Sequence, residues 1–177
     1  MTKSTIGNYV IENLSQASSD AFVAPDIPLK KLSNSAQFIA GGICQKSILG
    51  IFDATLFGSA KHGVVFVDEL LYFRPLIGTI EKHKYHDLLS IHRKGNTLVI
   101  TQANNHSFEM YLTPEQADGM LPFLEGLIEL ANNPNDSQNK SDEQNTPKTP
   151  TNCIGCGAGY AQAVNTGARC EWCDTPY

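Results

Sequence analysis

The sequence predicts a mainly β protein: a small antiparallel barrel closed by a C-terminal helix, followed by a separate small module organised by cysteines. Three observations carry this. Between Ser47 and Tyr111, short apolar runs recur, divided by turn residues at Gly58–Gly63, Asp68-Glu69, Lys94-Gly95-Asn96 and Asn104-Asn105. The last run is followed by Thr113-Pro114-Glu115-Gln116, a helix-opening sequence, and then by a long apolar stripe. Residues 133–151 carry no large apolar side chain, and four cysteines are grouped beyond them.

The elements follow in chain order. Residues 1–28 read as a loosely structured lead. Tyr9, Val10, Asn13 and Leu14 suggest a turn or two of helix, and Pro25 and Pro28 break any continuation. From Leu29 to Ile43 a helix is expected, since Leu32, Ala36, Ile39, Ala40 and Ile43 recur at spacings of three and four. Gly41-Gly42 frays its end. Cys44 then reads as a small buried apolar side chain.

Ser47–Thr55 is the first strand, rich in Ile, Leu and Phe. Val64–Val67 is a short, continuously apolar strand, and Leu70–Arg74 is its hairpin partner, ended by Pro75. Thr79–Tyr85 is a more polar strand. Leu88–Arg93 and Thr97–Thr101 flank a hairpin turn. In the last strand Phe108, Met110 and Leu112 face one way, and Ser107, Glu109 and Tyr111 the other. The closing helix has Thr113 as N-cap, Pro114 at its first position and Gln116 completing a capping box. Ala117, Met120, Leu121, Leu124, Leu127, Ile128 and Ala131 form its apolar stripe, within which Pro122 either kinks the helix or marks the start of its regular part. The barrel with its flanking helices thus spans 29–132. Residues 133–151 form a disordered linker, because they cannot bury enough surface to offset their ordering entropy.

The module at 152–177 holds Cys153-Ile154-Gly155-Cys156, thirteen residues, and Cys170-Glu171-Trp172-Cys173. Each Cys-x-x-Cys pair turns two sulfurs to one side, and the spacer allows the second pair to face the first. This is the spacing of a tetrahedral structural zinc site with Cys153, Cys156, Cys170 and Cys173 as ligands. An iron-loaded, rubredoxin-like site is the alternative. Four thiolates leave zinc no open position, so the role is structural and not catalytic.

Composition narrows the function. Thirteen Lys and Arg stand against eighteen Asp and Glu, a formal charge of −5. An acidic chain suits neither general nucleic-acid binding nor an anionic membrane surface. No run approaches the ~20 apolar residues of a membrane span, and the polar start of the chain leads to the expectation of a cytoplasmic protein. No nucleophile–base pair, phosphate loop or open metal site is visible, so no catalytic residue is assigned.

One stretch carries a family resemblance. Ile48-Leu49-Gly50-Ile51-Phe52-Asp53-Ala54-Thr55-Leu56-Phe57-Gly58-Ser59-Ala60-Lys61-His62-Gly63, then Val64-Val65-Phe66-Val67-Asp68, resembles the opening of bacterial pleckstrin-homology-like domains. The Gly-Ser-Ala-Lys turn and the following apolar strand keep that family's order, and a later strand ends in an aromatic pair, here Tyr72-Phe73. Val67 departs from it, standing where the family has Thr. The resemblance covers about 45–132 and implies a pleckstrin-homology-like barrel. The C-terminal cysteines are similar to the short zinc ribbons of many bacterial proteins. Both imply binding modules.

Other candidates are weaker. Lys61, His62 and Lys46 supply too few cations for a lipid headgroup or inositol phosphate. His83, His86 and Asp87 would share a metal on a helix, but the local pattern is strand and loop. His92 and His106 are expected on paired strands, and Asp53 and Asp68 as turn caps. Tyr160, Arg169, Trp172 and Tyr177 have base-stacking side chains but serve a module that needs them as a core. The expectation is a non-enzymatic adaptor that binds a protein partner. The alternatives are a nucleic-acid-associated zinc-ribbon protein and an enzyme whose site carries no visible motif. The expected docking surface is the sheet edge at Pro75–Tyr85, where Ile77, Ile80 and Tyr85 lie among Glu81, Lys82 and Lys84.

Overall fold

The structure is a computed structural model that describes residues 5–55 and 57–133. The linker beyond 133, the four candidate zinc ligands Cys153, Cys156, Cys170 and Cys173, and the aromatic residues of the C-terminal module lie outside the described residues.

Helix α1 (Thr5–Ala17) and a short strand β1 (Ala21–Val23) come first. Helix α2 (Leu29–Asn34) runs directly into a π-helical turn at Ser35–Ile39. Seven strands follow: β2 (Gly50–Asp53), β3 (Gly63–Phe66), β4 (Leu70–Arg74), β5 (Glu81–Lys84), β6 (Leu88–Lys94), β7 (Thr97–Gln102) and β8 (Ser107–Tyr111). Helix α3 (Pro114–Ala131) ends the described chain. Its capping box forms as the sequence predicts: Gln116 N–H donates to Thr113 Oγ1, and Thr113 N–H donates to Gln116 Oε1. Pro122 lies inside this helix on its exposed side and does not interrupt it.

The strands are antiparallel throughout and form two sheets, one ordered β1-β2-β3-β4-β5 and one ordered β6-β7-β8. Among the described residues no strand pair joins them, so the closed barrel expected from the sequence is not formed. The reason is the corner after β5. A single 3-10 turn at Tyr85–Asp87 redirects the chain, and β6 then pairs only with β7. Tyr85 is buried there, and its hydroxyl donates to Val67 O at 2.7 Å.

The first sheet is covered on both faces. Phe52, Val64, Phe66, Leu71 and Phe73 share a core with the second sheet, α3 and α1. Ile51, Val65 and Tyr72 point the other way, against Ala36, Ile39 and Ala40 of the α2–π segment. This double cover explains why β2 and β3 are buried at every position and lack alternation. The second sheet has one solvated face, and β8 alternates exposed and buried residues.

The N-terminal segment is the main departure from expectation. It is not a loose lead. Val10 and Leu14 are fully buried, and β1 pairs with β2 in the register Ala21↔Phe52 to Val23↔Gly50. Burying two such side chains is worth about 3–6 kcal/mol. Three glycines make the room. A methyl group at Gly50 would stand 2.5 Å from Leu14 Cδ2, and one at Gly119 would stand 2.8 Å from the Ala17 carbonyl carbon and closer still to its oxygen. One at Gly126 would strike the Tyr9 ring end. Asp20 adds a polar tie, accepting from Gln116 Nε2 at 2.8 Å. Cys44 also differs: it is exposed, because the positive-φ pair Gly41-Gly42 turns the chain outward after the π turn. Among the described residues no helix is long and apolar enough to cross a membrane.

Candidate functional site

Strand β5 is the outer edge of the first sheet, paired among the described residues only with β4, in the register Leu70↔Lys84 to Phe73↔Glu81. Beyond the strand end, Tyr85 N–H donates to Glu69 O at 3.4 Å. In an antiparallel ladder, bonded and non-bonded pairs alternate. Glu81 and His83 therefore direct their backbone groups to β4. Lys82 directs both of its groups, and Lys84 its N–H, to the open side, where no described backbone group pairs with them, while the Lys84 carbonyl opens the 3-10 turn at Tyr85–Asp87.

The side chains divide by the same parity. Lys82 lies on the face of Tyr72, its Nζ 5.4 Å from the ring centroid, and Lys84 on that face is exposed with no ion pair among the described residues. Glu81 and His83 lie on the inner face. His83 is buried and stacks on Phe108 of the second sheet, with ring centroids 4.0 Å apart. Its Nδ1 is 2.7 Å from Gln102 Nε2. Its Nε2 lies 3.2 Å from Glu81 Oε2 but out of line for a hydrogen bond. Burial holds the imidazole below its ordinary range, with the charge of His106 acting the same way, against the pull of Glu81 and Gln102.

The loop leading into β5 is apolar and open. Leu76 is 78% exposed and Ile77 89%, while Ile80 approaches Gly41 of the outer layer. Exposed apolar residues next to an unpaired edge are a surface that another chain can cover.

The turn between β2 and β3 serves architecture. Asp53 is buried; its carboxylate accepts from Lys31 Nζ, Thr55 Oγ1 and, at 3.0 Å, Thr55 N–H. Burial alone would raise its pKa, but these hydrogen bonds and the Lys31 charge hold it below the ordinary carboxylate range. Thr55 Oγ1 in turn accepts from Ser59 N–H at 2.7 Å, and Asn34 Nδ2 donates to Ser59 O at 2.8 Å. The residues that carry the family resemblance thus lock α2 to this turn. Lys61 stands over the Phe38 ring at 4.9 Å, and His62 Nδ1 is 3.2 Å from Pro75 O.

The remaining candidates do not converge. His83 is buried while His86 is exposed beside Asp87. His92 faces Val99 on β7, whereas His106 precedes β8, so the two are not on paired strands as expected. Asp68 lies in the β3–β4 turn. Among the described residues, no group of three His, Cys, Asp or Glu side chains is placed to hold a metal. The buried setting of His83 and the parity of Lys82 and Lys84 were missed by sequence reasoning, although lysines two apart in a strand are the signal for one exposed face. Comparison with family models, with curated proteins and with solved structures returns no match.

Proposed function

We propose that this chain is a non-enzymatic adaptor whose two-sheet unit takes up an extended segment of a protein partner along the outer edge of β5. The observation that carries this is the open edge: the outward backbone groups of Lys82 and the outward N–H of Lys84 beside exposed Leu76 and Ile77. The unit is read as pleckstrin-homology-like. Seven sequential strands from Gly50 to Tyr111, followed by α3, support that reading, as does the Gly58-Ser59-Ala60-Lys61 turn between the first two of them. The C-terminal module is read as a structural zinc ribbon on Cys153, Cys156, Cys170 and Cys173, supported by their spacing.

The test uses Lys84, whose φ of −72° already suits proline. Lys84→Pro deletes an outward N–H without removing a β4 ladder bond. Partners captured from the native cell by the full chain should be lost with Lys84→Pro and kept with Lys61→Ala, with circular dichroism unchanged in both. Loss with Lys61→Ala and retention with Lys84→Pro would move the site to the first turn.

A further inference from the structure

The partner's chemistry follows from the edge, and this step rests on the adaptor reading above. In an added strand, each residue directly opposite a β5 residue presents its side chain on the same face. Lys82 and Lys84 occupy one face at alternate positions, and they also supply the outward backbone groups. Arg74 extends the charge on that face, two positions from Tyr72, and its Nη1 donates to Phe38 O at 2.7 Å. Three of the chain's thirteen Lys and Arg, Arg74, Lys82 and Lys84, therefore lie on this face of β4 and β5 in a protein whose net charge is −5. The only carboxylate of β5, Glu81, is turned to the inner face and faces His83. Ile80, approaching Gly41, marks an apolar position beyond the two lysines.

We infer that the occupant of the β5 edge is an acidic strand, a peptide segment with carboxylates at alternate positions that fall opposite Lys82 and Lys84. A second copy of β5 is disfavoured as occupant, because it would set lysines against lysines across the new pair. A carboxylate strand meets both sets of groups together: its backbone extends the ladder, and its side chains neutralise two exposed ammonium groups that have no ion pair among the described residues.

Short fluorescein-labelled peptides alternating valine with aspartate, serine or lysine provide the test, read by anisotropy on the full chain. The valine–aspartate peptide should bind about tenfold more tightly than the valine–serine peptide, the scale of two cross-strand charge pairs. Lys82→Glu with Lys84→Glu should invert the order in favour of the valine–lysine peptide. Lys84→Pro should abolish binding of all three, while Lys84→Gln should weaken the valine–aspartate peptide alone. Equal binding of the aspartate and serine peptides to the unmodified protein overturns the acidic inference and leaves the edge reading standing. Undiminished valine–aspartate binding by Lys84→Pro, lost only on charge reversal, shows a diffuse cationic surface and overturns both, as does silence of all three peptides. The same pattern with phosphatidylserine vesicles in place of peptide assigns the surface to a membrane and also overturns both.

Discussion

Replacing Gly119 by alanine tests how α1 is held. In an open helix this change stabilises by about 1 kcal/mol, since glycine is the poorer helix former. Here the added methyl meets backbone, the carbonyl of Ala17, which no rotamer change can move aside. Overpacking of this kind costs about 1–3 kcal/mol. Because the obstacle is main chain, the upper end applies, and the net loss is about 2 kcal/mol after the helical gain. Urea denaturation followed by far-ultraviolet circular dichroism should show the midpoint falling by about 1 M. Gly126→Ala is the comparison. Its methyl meets only the ring end of Tyr9, which can swing away at the expense of its hydrogen bond to Phe123 O, so the change should stay within about 1 kcal/mol. A cycle with Leu14→Ala adds a second readout. If Gly119→Ala lifts α1, the usual ~2–5 kcal/mol cost of Leu14→Ala shrinks in its background. A neutral or stabilising Gly119→Ala, with full additivity, would show that α1 does not pack there and that the N-terminal segment is the loose lead its composition suggests.

Four further outcomes are expected. Asp53→Ala should cost about 3 kcal/mol, the lower end for a broken buried pair because Lys31 keeps some contact with water. Since the folded Asp53 carboxyl is held below its unfolded value, its contribution is present above about pH 4 and is lost as pH falls, so Asp53→Asn should flatten the acid limb of a stability profile. His83 is held low in the fold. Stability should therefore be full above about pH 6.5 and decline as pH falls from there toward the folded value; an imidazole titrating by NMR at or above the ordinary value would contradict the burial described. Elemental analysis should find about one zinc per chain, lost in Cys153→Ser, and a red iron-loaded protein from zinc-replete cells would favour the rubredoxin-like alternative.

What could be read from the sequence was local. The Thr113 capping box, the bounds of β4 and the alternation of β8 depend on residues close in the chain, and each appears as expected. What covers an apolar face depends on residues far away. The unbroken run Val64-Val65-Phe66 signals a strand buried on both sides, but nothing local says that α2 covers one of them. For α1, two buried apolar side chains, Val10 and Leu14, in a polar segment gave little periodicity to read. The informative signal stood over a hundred residues away, in Gly119 and Gly126, spaced two helical turns apart on one face of α3. The two-sheet arrangement hangs on the corner at Tyr85, whose role needs Val67 beside it. For the candidate site, the edge position of residues 75–85 was legible from polarity and Pro75, and β5 does stand at the edge. Which lysines turn their backbone outward was not legible, because that parity is set by register with β4.

The two ends of the first sheet are unequal. One end is β1, three residues long and followed by Pro25 and Pro28; the other is β5, whose outward ladder groups at Lys82 and the Lys84 N–H have no partner among the described residues. A short strand next to prolines makes a poor template. This sheet therefore has a valence of one. If partners dock on β5 as proposed, a monovalent unit decorates a partner, one copy for each suitable segment, and does not bridge two partners through this sheet or propagate a chain of copies. Any clustering of several partners by this protein requires a second contact made elsewhere on the chain, and measured stoichiometry at the β5 edge should saturate at one segment per protein, however long the acidic polymer offered.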